Sequence, residues 1–100
     1  MGWASGYIER LRLGETVAFR PRGHSMRGKV ESGQLCTVAP VAPGELEAGD
    51  IVLCKVNGRE YLHLIKAIQG GRFQIGNNRG RINGWIGAAG IFGRCISVED

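Results

Sequence analysis

The stretch Asp50-Ile51-Val52-Leu53-Cys54-Lys55-Val56-Asn57-Gly58-Arg59-Glu60-Tyr61-Leu62-His63-Leu64-Ile65-Lys66-Ala67-Ile68 decides the fold. Two apolar, β-branched runs flank Asn57-Gly58, a dipeptide suited to the two-residue turn of a β-hairpin because both central positions need positive φ. Asp50 to Val56 is therefore read as one strand and Tyr61 to Ile68 as its antiparallel return. Side chains alternate along a strand, so Tyr61 and His63 share one face and Leu62, Leu64 and Lys66 the other, unless a bulge intervenes.

Outward from the hairpin, glycines punctuate short apolar runs; there are 17 in 100 residues, above the usual share, as suits a chain that turns every few residues. Downstream, Gly70-Gly71 is a turn, Arg72 to Ile75 a short strand, Gly76 to Gly90 a loop carrying Trp85, and Ile91 to Val98 a closing strand. Upstream, Gln34 to Pro40 reads as a strand, joined to the hairpin by the Pro- and Gly-bearing segment Val41 to Gly49. Glu15 to Arg20 reads as another, with Val17 and Phe19 on one side and Pro21 as its stop. Pro21 to Gly33 is polar and glycine-rich, which is where a functional loop belongs. Trp3, Tyr7, Ile8 and Leu11 recur at helical spacing, with Ser5 placed to cap the start and Gly14 to end the run. The expectation is a single domain over residues 1–100, mostly β, made of antiparallel sheet with a short N-terminal helix.

Composition narrows the function classes. Hydrophobic residues at 43% and charged residues at 22% are ordinary for a globular protein. No stretch approaches the roughly 18 to 20 apolar residues of a membrane span, and no signal-peptide core opens the chain, so a cytoplasmic protein is expected. Cys36, Cys54 and Cys95 match no zinc or redox spacing and read as reduced core residues. Two histidines and three scattered cysteines do not converge as ligands, and no Walker or dinucleotide loop is present, so no metal and no cofactor is expected. The net charge of +4 includes arginines near Ser25 (Arg20, Arg22, Arg27) and a second group, Arg79 and Arg81. A basic face without interleaved aromatics is ordinarily a solvated one, and DNA binding is not expected.

One pairing carries chemistry. Ser25, in Gly23-His24-Ser25-Met26, is followed 38 positions later by His63. A serine hydroxyl needs a base to become a nucleophile, and imidazole, with an unperturbed pKa near ~6.5, supplies one at neutral pH. Each residue also has a plain alternative, Ser25 as a turn residue beside Gly23 and His63 as a core-edge histidine. His24 is expected to point away from its neighbour. Lys66 is the rival base.

Four segments, in order, resemble one family. Gly23-His24-Ser25-Met26 resembles the Gly-x-Ser-Met nucleophile box, Gly49-Asp50-Ile51-Val52 the Gly-Asp-[Ile/Val]-Val strand, and Tyr61-Leu62-His63-Leu64-Ile65 the general-base strand. Gly76-Asn77-Asn78 and Ile91-Phe92-Gly93-Arg94 resemble the closing Gly-Asp-Asn and Ile-x-Gly-[Lys/Arg] elements. The family is the signal peptidase I and LexA-like serine peptidases, and the resemblance spans about residues 17 to 98.

The resemblance implies a coiled antiparallel sheet of the LexA and signal peptidase type, a serine endopeptidase activity, Ser25 as nucleophile and His63 as base. Bacterial signal peptidases and LexA-like proteins carry lysine at the latter position, and the endoplasmic-reticulum and archaeal type signal peptidases carry histidine. Met26, Asn77, Asn83 and Lys66 are the candidate supporting residues. Asn77 stands where the family has aspartate, Asn83 falls where histidine-type members carry an acid, and Arg27-Gly28 replaces the usual proline after Ser-Met. An asparagine can orient an imidazole but cannot stabilise an imidazolium as a carboxylate does.

The implied substrate is an extended peptide or protein segment with small residues at the scissile bond, added to a strand edge that Val17 and Phe19 line. The 24 residues ahead of Ser25 are too few for a repressor's DNA reader and self-cleaved linker, so a stand-alone relative is expected, with room for a homodimer. The alternative is a non-catalytic peptide-binding or regulatory module of the same fold, partner of a repressor-type protein.

Overall fold

Asn57 and Gly58 adopt positive φ, 51° and 80°, and on either side of them β3 (Ile51–Val56) and β4 (Arg59–Gln69) pair antiparallel from Val56↔Arg59 to Ile51↔Leu64. The hairpin is therefore the one expected from the sequence. Around it the computed structural model, which describes residues 2–100, is mostly β. A helix α1 (Ser5–Arg12) precedes β1 (Val17–Phe19) and β2 (Leu35–Ala39); β5 (Arg72–Gly76), β6 (Ile82–Gly87) and β7 (Ile91–Glu99) follow the hairpin. The seven strands form one antiparallel sheet in the order β1-β2-β7-β3-β4-β5-β6.

The sheet coils strongly. β1 and β4 are separated by three strands, yet Val17 and Phe19 share a buried cluster with Leu62 and Leu64, together with Ile8 and Leu11 of α1. On the other face of β3, Val52, Cys54 and Val56 pack with Ile65, Phe73 and Ile75. β3 is buried on both faces, which accounts for its nearly continuous apolar run. Cys36 and Cys54 are wholly buried and Cys95 is half-buried. Burial pushes the Cys36 and Cys54 thiols up to about 12, so they remain protonated and behave as small core hydrophobes.

Two expectations about secondary structure fail. The segment read as a loop from Gly76 to Gly90 contains β6, paired along β5 from Arg72↔Gly87 to Gly76↔Ile82, and then a turn of 3-10 helix, Ala88–Gly90. β6 is an edge strand whose residues are all exposed or half-buried, so its sequence Ile-Asn-Gly-Trp-Ile-Gly carries no inside-outside alternation to announce it. Ser5 does not cap α1 either. It is the first helical residue, and the N-cap is Ala4, which has no side-chain acceptor.

The orphan donors at that helix start are met from the sheet instead. Glu60, only 7% exposed, accepts the Ala4 N–H on Oε1 at 2.6 Å and the Ser5 hydroxyl on Oε2 at 2.7 Å. A carboxylate at a helix N-terminus also meets the positive end of the helix dipole. Burial pushes the Glu60 carboxyl upward, but the bonds from Ser5 and the Ala4 N–H, with Lys55 nearby, outweigh it and hold its pKa below the ordinary glutamate value.

A group depressed in the folded state contributes stability that is complete above its unfolded pKa and lost as pH falls through the folded one. Glu60→Ala is therefore expected to cost about 2 kcal/mol at neutral pH, from two charge-assisted bonds left unmade. Its deficit relative to the parent should shrink as pH falls below the ordinary glutamate range. Urea denaturation at neutral and acid pH measures both, and an equal deficit at the two values would remove the ionised carboxylate from the account.

Candidate active site

Strand alternation and the register of the hairpin put His63 opposite Val52, on the Tyr61 face of β4. The two rings stack, with centroids 4.8 Å apart and planes 28° from parallel, and His63 is 7% exposed. A histidine this buried needs partners for its ring nitrogens. Nδ1 meets Asn83 Oδ1 at 2.7 Å and Nε2 meets Ser25 Oγ at 3.2 Å. An amide oxygen can only accept, so the proton sits on Nδ1 and the lone pair of Nε2 faces the Ser25 hydroxyl. That is the tautomer a general base requires.

Burial pushes the His63 imidazole below its ordinary value; the Asn83 bond opposes this, and the Arg81 guanidinium adds to the depression. The ring is consequently neutral at physiological pH.

Ser25 stands exposed on a turn in which Arg27 N–H donates to the His24 carbonyl at 3.2 Å. Met26, beside it, is buried, and its carbonyl accepts from Lys29 and Val30 N–H at 3.0 and 2.8 Å. Met26 and Val30 thus root the loop in the core while Ser25 and the exposed His24 face outward. The ends of the loop are tied by Gly33 N–H to the Pro21 carbonyl and by Arg20 to the Gly33 carbonyl, both at 2.8 Å.

From the other side, Asn78 clamps the turn. Its N–H donates to the Ser25 carbonyl at 2.9 Å and its Nδ2 to the Arg27 carbonyl at 2.8 Å. Gly28, at φ +97°, lies where a Cβ would come 3.1 Å from that Nδ2, so the absence of a side chain there lets the clamp close. Asn77 shapes the clamp's own loop, its Oδ1 accepting from Arg79 and Arg81 N–H at 2.8 and 2.9 Å.

Of the expected site residues, Ser25, His63 and Asn83 come together directly; Met26 and Asn77 act through the loops they hold. Lys66 does not join them. The β4/β5 register slips between Ile65 and Ala67, so Lys66 is a bulged residue, and its Cγ would lie 3.0 Å from a Cβ at Gly76. Val17, expected on a peptide-binding edge, is 1% exposed and belongs to the core, whereas Phe19 does line the open cleft.

Two roles escaped the sequence reading. Asn78 was legible only as the last residue of the Gly76-Asn77-Asn78 element, since the carbonyls it clamps lie some fifty positions away. Glu60 carried a signal in retrospect, being an acid on the Leu62 and Leu64 face of an apolar strand. Asn78→Ala is expected to leave the fold intact but loosen the Ser25 turn, because the Nδ2 bond to the Arg27 carbonyl is lost. Amide hydrogen exchange over residues 25–30 beside a thermal melt measures this, and unchanged protection of the turn would refute the clamp's role.

A cleft of about 360 Å³ adjoins the site, lined by Trp3, Tyr7, Phe19, Tyr61 and His63 and by Gly23 and Met26, which flank His24 and Ser25 in the sequence. Among the described residues no three His, Cys, Asp or Glu side chains converge as metal ligands, and no helix is long and apolar enough to cross a membrane. The chain matches no protein-family model and no curated protein.

Proposed function

We propose that this chain is a serine peptidase of the signal peptidase I and LexA-like kind, working through a Ser25/His63 dyad. The observation that carries the reading is the chain of two bonds, Ser25 Oγ to His63 Nε2 at 3.2 Å and His63 Nδ1 to Asn83 Oδ1 at 2.7 Å. Ser25 Oγ attacks the peptide carbonyl as His63 takes its proton, and the imidazolium then returns the proton to the leaving amine. The Ser25 N–H is the donor we assign to the developing oxyanion. Water repeats the cycle on the acyl-enzyme.

The substrate class follows from the cleft and the resemblance: an extended segment with small residues at the scissile bond, adding as a strand beside the serine. Three free thiols fit a reducing compartment, and we assign the chain to the cytoplasm. A serine-reactive phosphonate should label the protein at Ser25 and leave Ser25→Ala unlabelled. No labelling across the neutral and alkaline range would overturn the catalytic reading.

A second reading has its own support. Asn83 and Asn77 stand where carboxylates would be expected, and an amide gives the imidazolium no charge to lean on. The same cleft then serves a non-catalytic peptide-binding or regulatory module, partner of a repressor-type protein or of a second copy. Peptide binding without hydrolysis or labelling is the result that selects it.

A further inference from the structure

β4 is paired over different lengths on its two sides. β3 covers Arg59 to Leu64, whereas β5 begins only at Leu64, so residues 59–63 have no strand on that side. Val56 and Arg59 close a two-residue hairpin and are therefore a hydrogen-bonded pair, which turns the backbone groups of Arg59, Tyr61 and His63 toward β3. Those of Glu60 and Leu62 turn outward, into the cleft. The free edge runs directly up to His63, and hence to the serine.

Part of that edge is already occupied by the chain itself. The Trp3 indole donates to the Glu60 carbonyl at 3.1 Å. Its ring meets Phe19 edge-on, centroids 5.6 Å apart at 65°, and Phe19 in turn stacks on Tyr7 at 4.6 Å. Trp3 thus bridges the cleft from β1 to β4. The Glu60 carboxylate holds the backbone just after it, through Ala4 and Ser5. Yet the ring is 52% exposed, so it crosses the mouth of the cleft instead of filling the core.

We propose that Trp3 sets the length of peptide the site accepts, by occupying the Glu60 carbonyl and leaving Leu62, among the described residues, as the one residue of the outward β4 edge with both backbone groups open to a substrate. This rests on the peptide-binding cleft of the reading above. A peptide strand gains affinity from successive ladder bonds, and here the ladder ends after one residue. The favoured substrate is a short extended segment, such as a flexible loop or chain end, in preference to a long strand.

The test measures binding and hydrolysis separately. Ser25→Ala protein, with and without Trp3→Ala, is titrated with an Ala/Gly-rich tetrapeptide and with a decapeptide that contains it. The tetrapeptide should bind both proteins alike, and the decapeptide about tenfold tighter once Trp3 is gone, the worth of one or two added backbone bonds. Trp3→Phe keeps a ring against Phe19 but loses the N–H, and should move the decapeptide in the same direction without disturbing α1.

Equal decapeptide affinity with and without Trp3, an equal gain for both peptides, or no peptide binding to any variant overturns the proposal. Hydrolysis by the protein with Ser25 intact is scored apart. Length selection without hydrolysis upholds Trp3's role and sinks the peptidase; hydrolysis without length selection does the reverse.

Discussion

Ser25→Ala and His63→Ala are each expected to lower kcat/KM on an Ala-Gly peptide by about a thousandfold or more, and the double variant to be hardly worse than either. A catalytic dyad acts as one unit, since a base without its serine has nothing to activate and a serine without its base keeps its proton. Lys66→Ala should change little, because both nitrogens of the base already have their partners and Lys66 packs over Gly76.

The rate should rise with pH as His63 loses its proton and then level off. The midpoint should lie below the ordinary histidine value, because burial and Arg81 both disfavour the charged ring. Arg81→Ala should move that midpoint upward. Additive losses in the double variant, or a rate that survives His63→Ala but not Lys66→Ala, would transfer the base elsewhere.

Asn83→Asp is the change expected to raise activity, by about tenfold or more. The Asn83 oxygen already fixes the Nδ1–H tautomer at 2.7 Å, so orientation is in place and only charge is missing. A carboxylate there would stabilise the imidazolium that forms as Ser25 is deprotonated, which a triad aspartate does in addition to fixing the tautomer. The same charge must raise the His63 pKa, so the pH profile should shift to higher pH together with the gain in plateau rate. A profile that shifts while the plateau stays flat would mean that His63 titrates without serving as the base.

Legibility in the sequence varied by element, for physical reasons. The β3/β4 hairpin was readable because Asn57-Gly58 specifies a turn locally and both flanks are apolar. β6 was not, because an exposed edge strand needs no apolar stripe and gets its backbone bonds from β5. Lys66 shows both sides. Regular alternation sets it on the Leu62 and Leu64 face, and it does lie beside Gly76, the partner of Leu64, whereas the register slip around it has no local signal. The helix start was misread because Ser5 has the chemistry of a cap, and the distant carboxylate of Glu60 had already met the donors.

By itself the sequence determined the mostly β class, the hairpin, the face of His63 within it and the serine's place in a polar loop, because period-two patterning and turn chemistry act over a few residues. Only the tertiary structure decided that Ser25, His63 and Asn83 meet, that Asn78 clamps the Ser25 turn, and that Trp3 bridges the cleft on a helix held by Glu60. Those contacts join residues 20 to 57 positions apart, and such distances are closed by the coiling of the sheet and the burial it allows, which no local pattern encodes.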